Sequence, residues 1–439
     1  MADRLLPLDA ALERLKGLHP RSIDLSLARM ERLCEALGHP ERSLPPVLHV
    51  AGTNGKGSTV AFLRAFAEAA GLKAHVYTSP HLVRFAERIR VAGALIGDVA
   101  LAEAVGRVES ANAGAPITFF EVATAAAFTA FSETSADVCI VEVGLGGRLD
   151  ATNVIAAPAV SVIAPVDLDH REFLGETVEA VAAEKAGILK RGRPGVVGRQ
   201  RSNSLEVISA RADRVGALLT IMGADFDAFR EGGRLVFQGE DRLMDLPEPA
   251  LVGAHQFDNA GLAIAAVLKL GDRRIDEAAI ARGLTSVEWP GRLQRLKIGP
   301  LAAEALRAGA DLILDGGHNP HAAKALARAI EDLAARDPRP LVLIAGMMAN
   351  KDALAFFTAL RRINPEIIFT VPVGAEAATD PRTLAQSVRM VGLKAETATD
   401  VQSALARALE ACDAPRVVIC GSLYLAGEVL AMSEETWPR

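Results

Sequence analysis

The sequence predicts an α/β protein built on a mainly parallel sheet and divided into two units, the second smaller than the first. Three observations predict it. Short apolar runs alternate with segments of helical periodicity along most of the chain. A glycine-rich loop joins one of those runs to a helix just after residue 51. The alternation breaks near Trp289-Pro290-Gly291 and then restarts.

Two helical patterns open the chain, near 8–18 and 23–37. VLHVAG (47–52) reads as a buried strand, followed by the glycine loop and a helix from about Ser58 to Ala70 that stops at Gly71. A strand from Lys73 to Thr78 runs into Ser-Pro, and RIRVAG (88–93) reads as another. Helices are expected near 97–112 and 119–134. DVCIVEVG (137–144) and AVSVIAPV (159–166) are mostly apolar and read as further buried strands, the first ending in a glycine loop. A helix is expected near 176–190, then further strands with a hairpin over the Gly- and Arg-rich stretch 191–250. Helices near 255–270 and 274–286 close the first unit.

Beyond the break, LILD (312–315), LVLIAG (341–346), EIIFTVPV (366–373) and RVVICG (416–421) alternate with helices. That pattern predicts a smaller, Rossmann-like α/β unit. The expected domains are 1–294 and 295–439.

Composition narrows the function classes. The chain has 439 residues, 50% hydrophobic and 23% charged, which excludes global disorder. A net charge of −6 supplies no electrostatic footprint for nucleic acid. The opening MADRLLPLDAALERLKGL is interrupted by charges, so no signal peptide is expected. The longest apolar stretch, Phe119–Phe131, is broken by Glu121, Thr124 and Thr129, so no membrane span is expected. Cys34, Cys139, Cys412 and Cys420 are scattered and form no Cys-x-x-Cys pair. They argue against a disulfide framework and a zinc site, and for a reducing cytoplasm.

The strongest local signal is Gly52-Thr53-Asn54-Gly55-Lys56-Gly57-Ser58-Thr59. A glycine loop between strand and helix wraps phosphates with backbone N–H groups, and the helix N-terminus adds partial positive charge. Lys56 can reach terminal phosphates, and a following hydroxyl can ligate Mg²⁺. The common phosphate-loop pattern is broken twice, by Val50 in place of its first glycine and by Gly57 directly after the lysine. Strand ends carry the second signal, because ligands of open parallel sheets gather there. Glu142 ends one strand before Gly144-Leu145-Gly146-Gly147-Arg148; Asp167, Asp169 and His170 end another; Ser79 follows a third. Singly each reads as structural or solvated; together they could hold one or two Mg²⁺ ions, although histidine is an unusual ligand for that metal. Lys185, within Glu184-Lys185-Ala186-Gly187, reads as an ordinary helix lysine. In the second unit, Asp315-Gly316-Gly317-His318-Asn319-Pro320 follows a strand directly and reads as a site or a turn.

These residues resemble the folylpolyglutamate synthase and dihydrofolate synthase branch of the Mur ligase superfamily. The matches run in order: IDLSLAR (23–29), GTNGKGST (52–59), TSPHLVRFAERIRV (78–91), FFEVATAAAF (119–128), EVGLGGRLDATN (142–153), DLDHREFLG (167–175), EKAGI (184–188), HQFDNAGLA (255–263), GRLQ (291–294), DGGHNPHA (315–322) and GMMANKD (346–352). The strings TSPHL and EVGLGGRLDATN are specific for the branch; GTNGK marks only the superfamily. The resemblance departs mildly at Gly316-Gly317 and Met347-Met348.

The resemblance implies a Mur-ligase-like ATPase domain followed by a glutamate-ligase domain. It implies an ATP-dependent amide ligase in folate biosynthesis: a carboxylate is phosphorylated to an acyl phosphate and then attacked by L-glutamate. The acceptors implied are dihydropteroate and reduced folates. It also implies nucleotide contacts from Asn54, Gly55, Lys56, Gly57, Ser58, Thr59, Asn259, Arg292 and Asp315. One Mg²⁺ would be held by Ser58, Ser79 and Glu142, and a second by His170. Lys185 matches a lysine that becomes carbamylated, and His318 a catalytic-region histidine of undefined role. The pterin side falls on Ile23, Asp24, Phe119, Phe120, Glu121, Asp150 and Ala151, where the two phenylalanines could equally be helix core. Small-molecule substrates and a monomer are expected. Three alternatives stay open: folylpolyglutamate synthase activity alone, another Mur-type amide ligase, and a phosphate-loop switch without ligase activity.

Overall fold

The computed structural model describes residues 26–438; Ile23, Asp24 and the first expected helix lie outside them. The chain forms two compact units. The first comprises the chain up to His81, then Phe85–Ala250 and Phe257–Val287; the second comprises Leu82–Arg84, Leu251–Gln256 and the chain from Glu288.

In the first unit, β1 (Val47–Ala51), β2 (Ala74–Tyr77), β3 (Ile89–Val91), β4 (Ala94–Leu95), β5 (Val138–Glu142), β6 (Val160–Ile163), β7 (Pro194–Val197) and β8 (Leu218–Ile221) form one eight-stranded sheet. Its order is β4-β3-β2-β5-β1-β6-β7-β8, and all pairs from β2 to β8 are parallel. Only β3 and β4 extend it antiparallel. Every residue of β1 and β5 is buried, which explains why both are apolar apart from His49 and Glu142. One face packs Met30, Leu33, Val105 and Phe128 into a core, and another cluster gathers Val181, Ile188 and Ile208.

The stretch 191–250 departs from expectation. It holds β7 and β8 but also a fourteen-residue helix, Ser202–Val215, where only strands were expected. The helix starts without a side-chain cap, and its polar Ser-Asn-Ser opening hides it from pattern reading. Its buried Ser204, Ile208 and Ala212 fall at helical spacing, and Gly216 ends it in the left-handed conformation. The expected hairpin is present as β9 (Phe226–Glu231) and β10 (Arg234–Gly239), turned at Gly232-Gly233 with both φ positive. With β11 (Leu243–Pro247) they form a separate antiparallel sheet. The helix expected over 176–190 is shorter, Val178–Lys185, and tightens into a 3₁₀ turn at Ala186–Ile188.

The second unit holds β12 (Gln294–Arg295), β13 (Asp311–Leu314), β14 (Leu341–Ala345), β15 (Ile367–Thr370), β16 (Ala395–Thr397) and β17 (Arg416–Cys420). Their order is β12-β13-β17-β14-β15-β16, parallel except for β12. Helices flank the sheet with two apolar clusters, one around Phe356 and Phe357 and one around Leu405 and Leu425.

The four cysteines are free thiols. Burial pushes Cys34, Cys139 and Cys420 far up from the ordinary thiol range, while Cys412 is half-buried and raised less. Among the described residues no helix is long and apolar enough to cross a membrane.

Candidate active site

The glycine loop leaves β1 and turns into the helix Lys56–Ala69. Gly52 has φ +150°, and a Cβ there would lie 2.7 Å from the Ala164 Cβ. Gly55 has φ +86°, and a Cβ there would lie 2.4 Å from Asn259 Oδ1. Both positions therefore demand glycine, for space and for conformation. The loop is pinned to the end of β6: Thr53 N and Asn54 N donate to the Pro165 carbonyl at 2.9 and 3.2 Å. Thr53 Oγ1 donates to the Asp167 carbonyl at 2.8 Å. Gly55 stands at the helix N-cap and has no side chain with which to cap it. The Lys56 ammonium folds back over the loop, donating to the Gly52 carbonyl at 3.0 Å. A fixed loop, an uncapped helix start and an adjacent ammonium form an anion cradle.

Neighbouring strand ends bring oxygen donors to the same edge. Glu142, 4% exposed, ends β5 and accepts from Ser79 N at 3.4 Å, so the ends of β2 and β5 meet here. Ser58 is buried in the first turn of the loop helix. His170 has φ +50° in the left-handed region, half-exposed, with Nε2 3.9 Å from Asp169 Oδ2. Among the described residues there is no cluster of three or more His, Cys, Asp and Glu suited to a metal. Two hydroxyls and one carboxylate fit a hard cation that takes its other ligands from phosphate and water. The imidazole of His170 is the softer donor.

Lys185 ends its helix at 5% exposure. Burial, reinforced by the charge of Lys56 and opposed by Asp169, Asp150 and Glu184, lowers its ammonium from 10.5 to about 7. The helix end packs on the loop after β5 without spare volume. A Cβ on Gly147 would lie 2.7 Å from the Glu184 carbonyl, and one on Gly187 would lie 2.4 Å from Arg148 Cβ. Arg148 N donates to the Glu184 carbonyl at 2.8 Å, and Arg148 pairs with the Glu184 carboxylate. The segments GLGGR and EKAG, distant in sequence, are one packed unit.

The aromatic candidates sit beside this loop. Phe119 packs edge-on to Phe85, ring centres 5.5 Å apart. Phe120 lies 6.1 Å from Tyr77, and its ring fills the space over Gly144, where a Cβ would meet it at 2.4 Å. Glu121 closes a capping box with Thr118 at the helix start and pairs with Arg29 at 3.0 Å, so this carboxylate is committed to structure. Asp150 Oδ1 accepts from Thr152 N and Thr152 Oγ1, and Oδ2 accepts from Leu145 N. Burial pushes the Asp150 carboxyl up while these donors pull it down. Ala151 begins the 3₁₀ turn that Asp150 caps. Arg88 went unselected in the sequence. It donates to His81 Nδ1 at 2.8 Å and lies over the rings of Phe85 and Phe119 at 5.4 and 5.9 Å. Its spacing from Phe85 was the available signal.

In the second unit, Asp315 follows β13, accepting from Gly317 N at 2.8 Å and Leu293 N at 3.0 Å. Gly316 N donates to the Gly291 carbonyl at 2.8 Å, and a Cβ on Gly316 would lie 3.0 Å from Arg292 Nη1. Arg292 and Asp315 are thus neighbours. His318 Nδ1 lies 3.1 Å from the Gly316 carbonyl, and Asn319 caps the next helix through Ala322 N.

Comparison with known proteins gives two family matches, Mur ligase middle domain over residues 50–267 and Mur ligase, glutamate ligase domain over 292–423. The dihydrofolate synthase/folylpolyglutamate synthase of Escherichia coli is 34% identical over 425 residues, covering 97% of this chain and 95% of that protein. The structure of E. coli FolC in complex with DHPP and ADP superposes with a TM-score of 0.86 at 32% identity, covering 97% of each chain. A bifunctional folylpolyglutamate synthase/dihydrofolate synthase with Mn, AMPPNP and L-glutamate bound gives 0.85 at 32% identity, over 97% of this chain and 98% of that one.

Proposed function

Since the chain belongs to the Mur ligase family, in its dihydrofolate synthase and folylpolyglutamate synthase branch, we propose that it joins L-glutamate to dihydropteroate and to reduced folates at the expense of ATP. The observation that carries this reading is the uncapped glycine loop of Gly52–Thr59, with Ser79 and Glu142 at adjoining strand ends.

ATP is the phosphoryl donor. Its terminal phosphate passes to the acceptor carboxylate, giving an acyl phosphate and ADP; the glutamate amine attacks the acyl carbon, and the tetrahedral species expels phosphate. Such transfer needs positioning and charge neutralisation more than covalent help. The loop amides and Lys56 bind the β- and γ-phosphates, and on ATP binding the Lys56 ammonium exchanges its loop carbonyls for phosphate oxygens. Mg²⁺, when bound, neutralises phosphate charge; Ser58, Ser79 and Glu142 would hold one ion and His170 a second. Asn259 contacts the nucleotide beside Gly55; within the second unit Arg292 and Asp315 are neighbours, with His318 close to Gly316. Phe119 and Phe120 bound the pterin side together with Asp150 and Ala151, whereas Glu121 acts there only through its helix cap.

A lysine at about 7 is largely an uncharged amine in mildly alkaline solution, the form that adds CO₂. In carbamylation the neutral Lys185 amine would form an N–C bond to CO₂ and release one N–H proton to solvent, leaving an anion under the influence of the Lys56 charge.

The deciding experiment measures ADP release with ATP, Mg²⁺ and L-glutamate, in parallel with dihydropteroate and with tetrahydrofolate. Release with both acceptors is expected. Release with tetrahydrofolate alone reduces the activity to chain elongation, and release with neither, but with a nucleotide-linked muramyl acid, transfers the chain to another Mur-type substrate.

A further inference from the structure

β1 is a buried strand of apolar residues with one exception, His49, whose side chain is fully enclosed. An imidazole in such a place costs free energy that a Val or Leu would not. With the Asp150 carboxyl ionised, the hydrogen bonding of His49 has a single consistent assignment. His49 Nε2 lies 2.8 Å from Thr152 Oγ1, and Thr152 Oγ1 lies 2.5 Å from Asp150 Oδ1. The Thr152 hydroxyl has one proton and donates it to the carboxylate, so it must accept from the imidazole. His49 is therefore the neutral Nε2–H tautomer. Burial and the nearby Lys190 cation, which hold the ring far below the usual imidazole range, agree with this. His49 Nδ1 is buried and has no hydrogen-bond partner among the described residues. Packing does not account for a buried ring that leaves half its polar capacity unused.

The chain of bonds has a direction, from β1, which runs straight into the phosphate loop, to Asp150, which holds Leu145 N and caps the turn at Ala151. We propose that His49 is a positioning residue for the pteroyl-acid site, acting through the Thr152 hydroxyl to fix the plane of the Asp150 carboxylate and the backbone of Ala151. This rests on the assignment of Asp150 and Ala151 to that site. The His49–Thr152 bond then ties the pterin-side loop to the same strand that sets the position of the phosphates.

The test is steady-state kinetics on the full-length enzyme with dihydropteroate and ATP varied separately, alongside thermal unfolding. His49→Leu should raise KM for dihydropteroate about tenfold, the loss of one hydrogen bond in a charged relay. KM for ATP should stay within about twofold, since the phosphate loop keeps its own pins to the end of β6. His49→Gln, whose amide N–H reaches the same point, should recover most of the loss. Thr152→Val should reproduce the His49→Leu shift, and the double variant should be no worse than either. If His49→Leu does not fold, His49→Gln and Thr152→Val carry the same comparison. An unchanged dihydropteroate KM in His49→Leu, or an equal rise in both KM values, overturns the proposal. Asp150→Asn separates the two levels. If it raises the dihydropteroate KM while His49→Leu does not, the relay fails and the substrate site stands. If Asp150→Asn has no effect, the site assignment itself falls and the relay falls with it.

Discussion

Two loops in this molecule share one plan, strand to glycine-containing loop to helix, and use it in opposite ways. After β1, the loop ends on Gly55, which has no side chain to cap the helix that follows. After β13, the loop supplies its own acceptors: Asp315 takes Gly317 N and Leu293 N, and Asn319 takes Ala322 N at the start of a helix with Pro at its first position. The first loop keeps a helix start for an anion, and the second satisfies its own and is stiffened by doing so. The shared plan does not predict a ligand; the residue at the N-cap separates an anion cradle from a rigid corner.

That contrast can be broken by substitution. The largest effect should come from Lys56→Ala, which should reduce turnover by about 10³-fold or more while leaving the unfolding midpoint within a few degrees. Near-normal turnover would mean that phosphate binds elsewhere. Next is Lys185→Ala, expected to lose about 10²-fold and to regain part of it with added short carboxylates. The pH dependence has a defined sign. The Lys185 ammonium in the fold sits at about 7, below its ordinary 10.5, so the neutral amine dominates above about pH 7 and is lost on acidification through that value. Activity should therefore fall on acidification below pH 7 in the wild type, and a profile flat through that range would remove the carbamate. Gly55→Ala places a methyl group against Asn259 Oδ1 at a positive φ, and should raise KM for ATP about tenfold in a folded protein. The smallest effect belongs to the second loop. Asn319→Ala should cost about 1 kcal/mol of stability in urea unfolding, the usual worth of a cap, with KM for ATP unmoved. A change in ATP affinity without a stability loss would show that the two helix starts are not opposites.

The legible parts of the sequence were those where one local rule operates. VLHVAG followed by GTNGKGST is readable because a fully buried strand has no polar alternation and a phosphate loop needs glycines at set points. The helix Ser202–Val215 escaped because Ser, Asn, Arg and Asp dilute its apolar stripe, and tertiary contact at Ile208 supplies what propensity lacks. Glu121, expected on the pterin side, is also held at a helix start by Thr118 and Arg29. The Arg29 half of that arrangement comes from 92 residues away. The same distance problem hid the packing of Gly147 on Glu184 and the link from His49 to Thr152. Each is a contact between segments whose separate patterns look complete.

The thiols carry a consequence for experiment. Three are sealed in the cores with their ionisation suppressed, so Cys412 is the only cysteine a maleimide can reach without local opening of the fold. It lies four residues before β17 begins, whereas Asp315 follows the end of the parallel neighbour β13, so the two lie toward opposite ends of these strands, roughly 15 Å apart along them. A single fluorophore attached there would report on the second unit from behind, through a wild-type residue and at a distance from the glycine-rich corner at Asp315–Gly317.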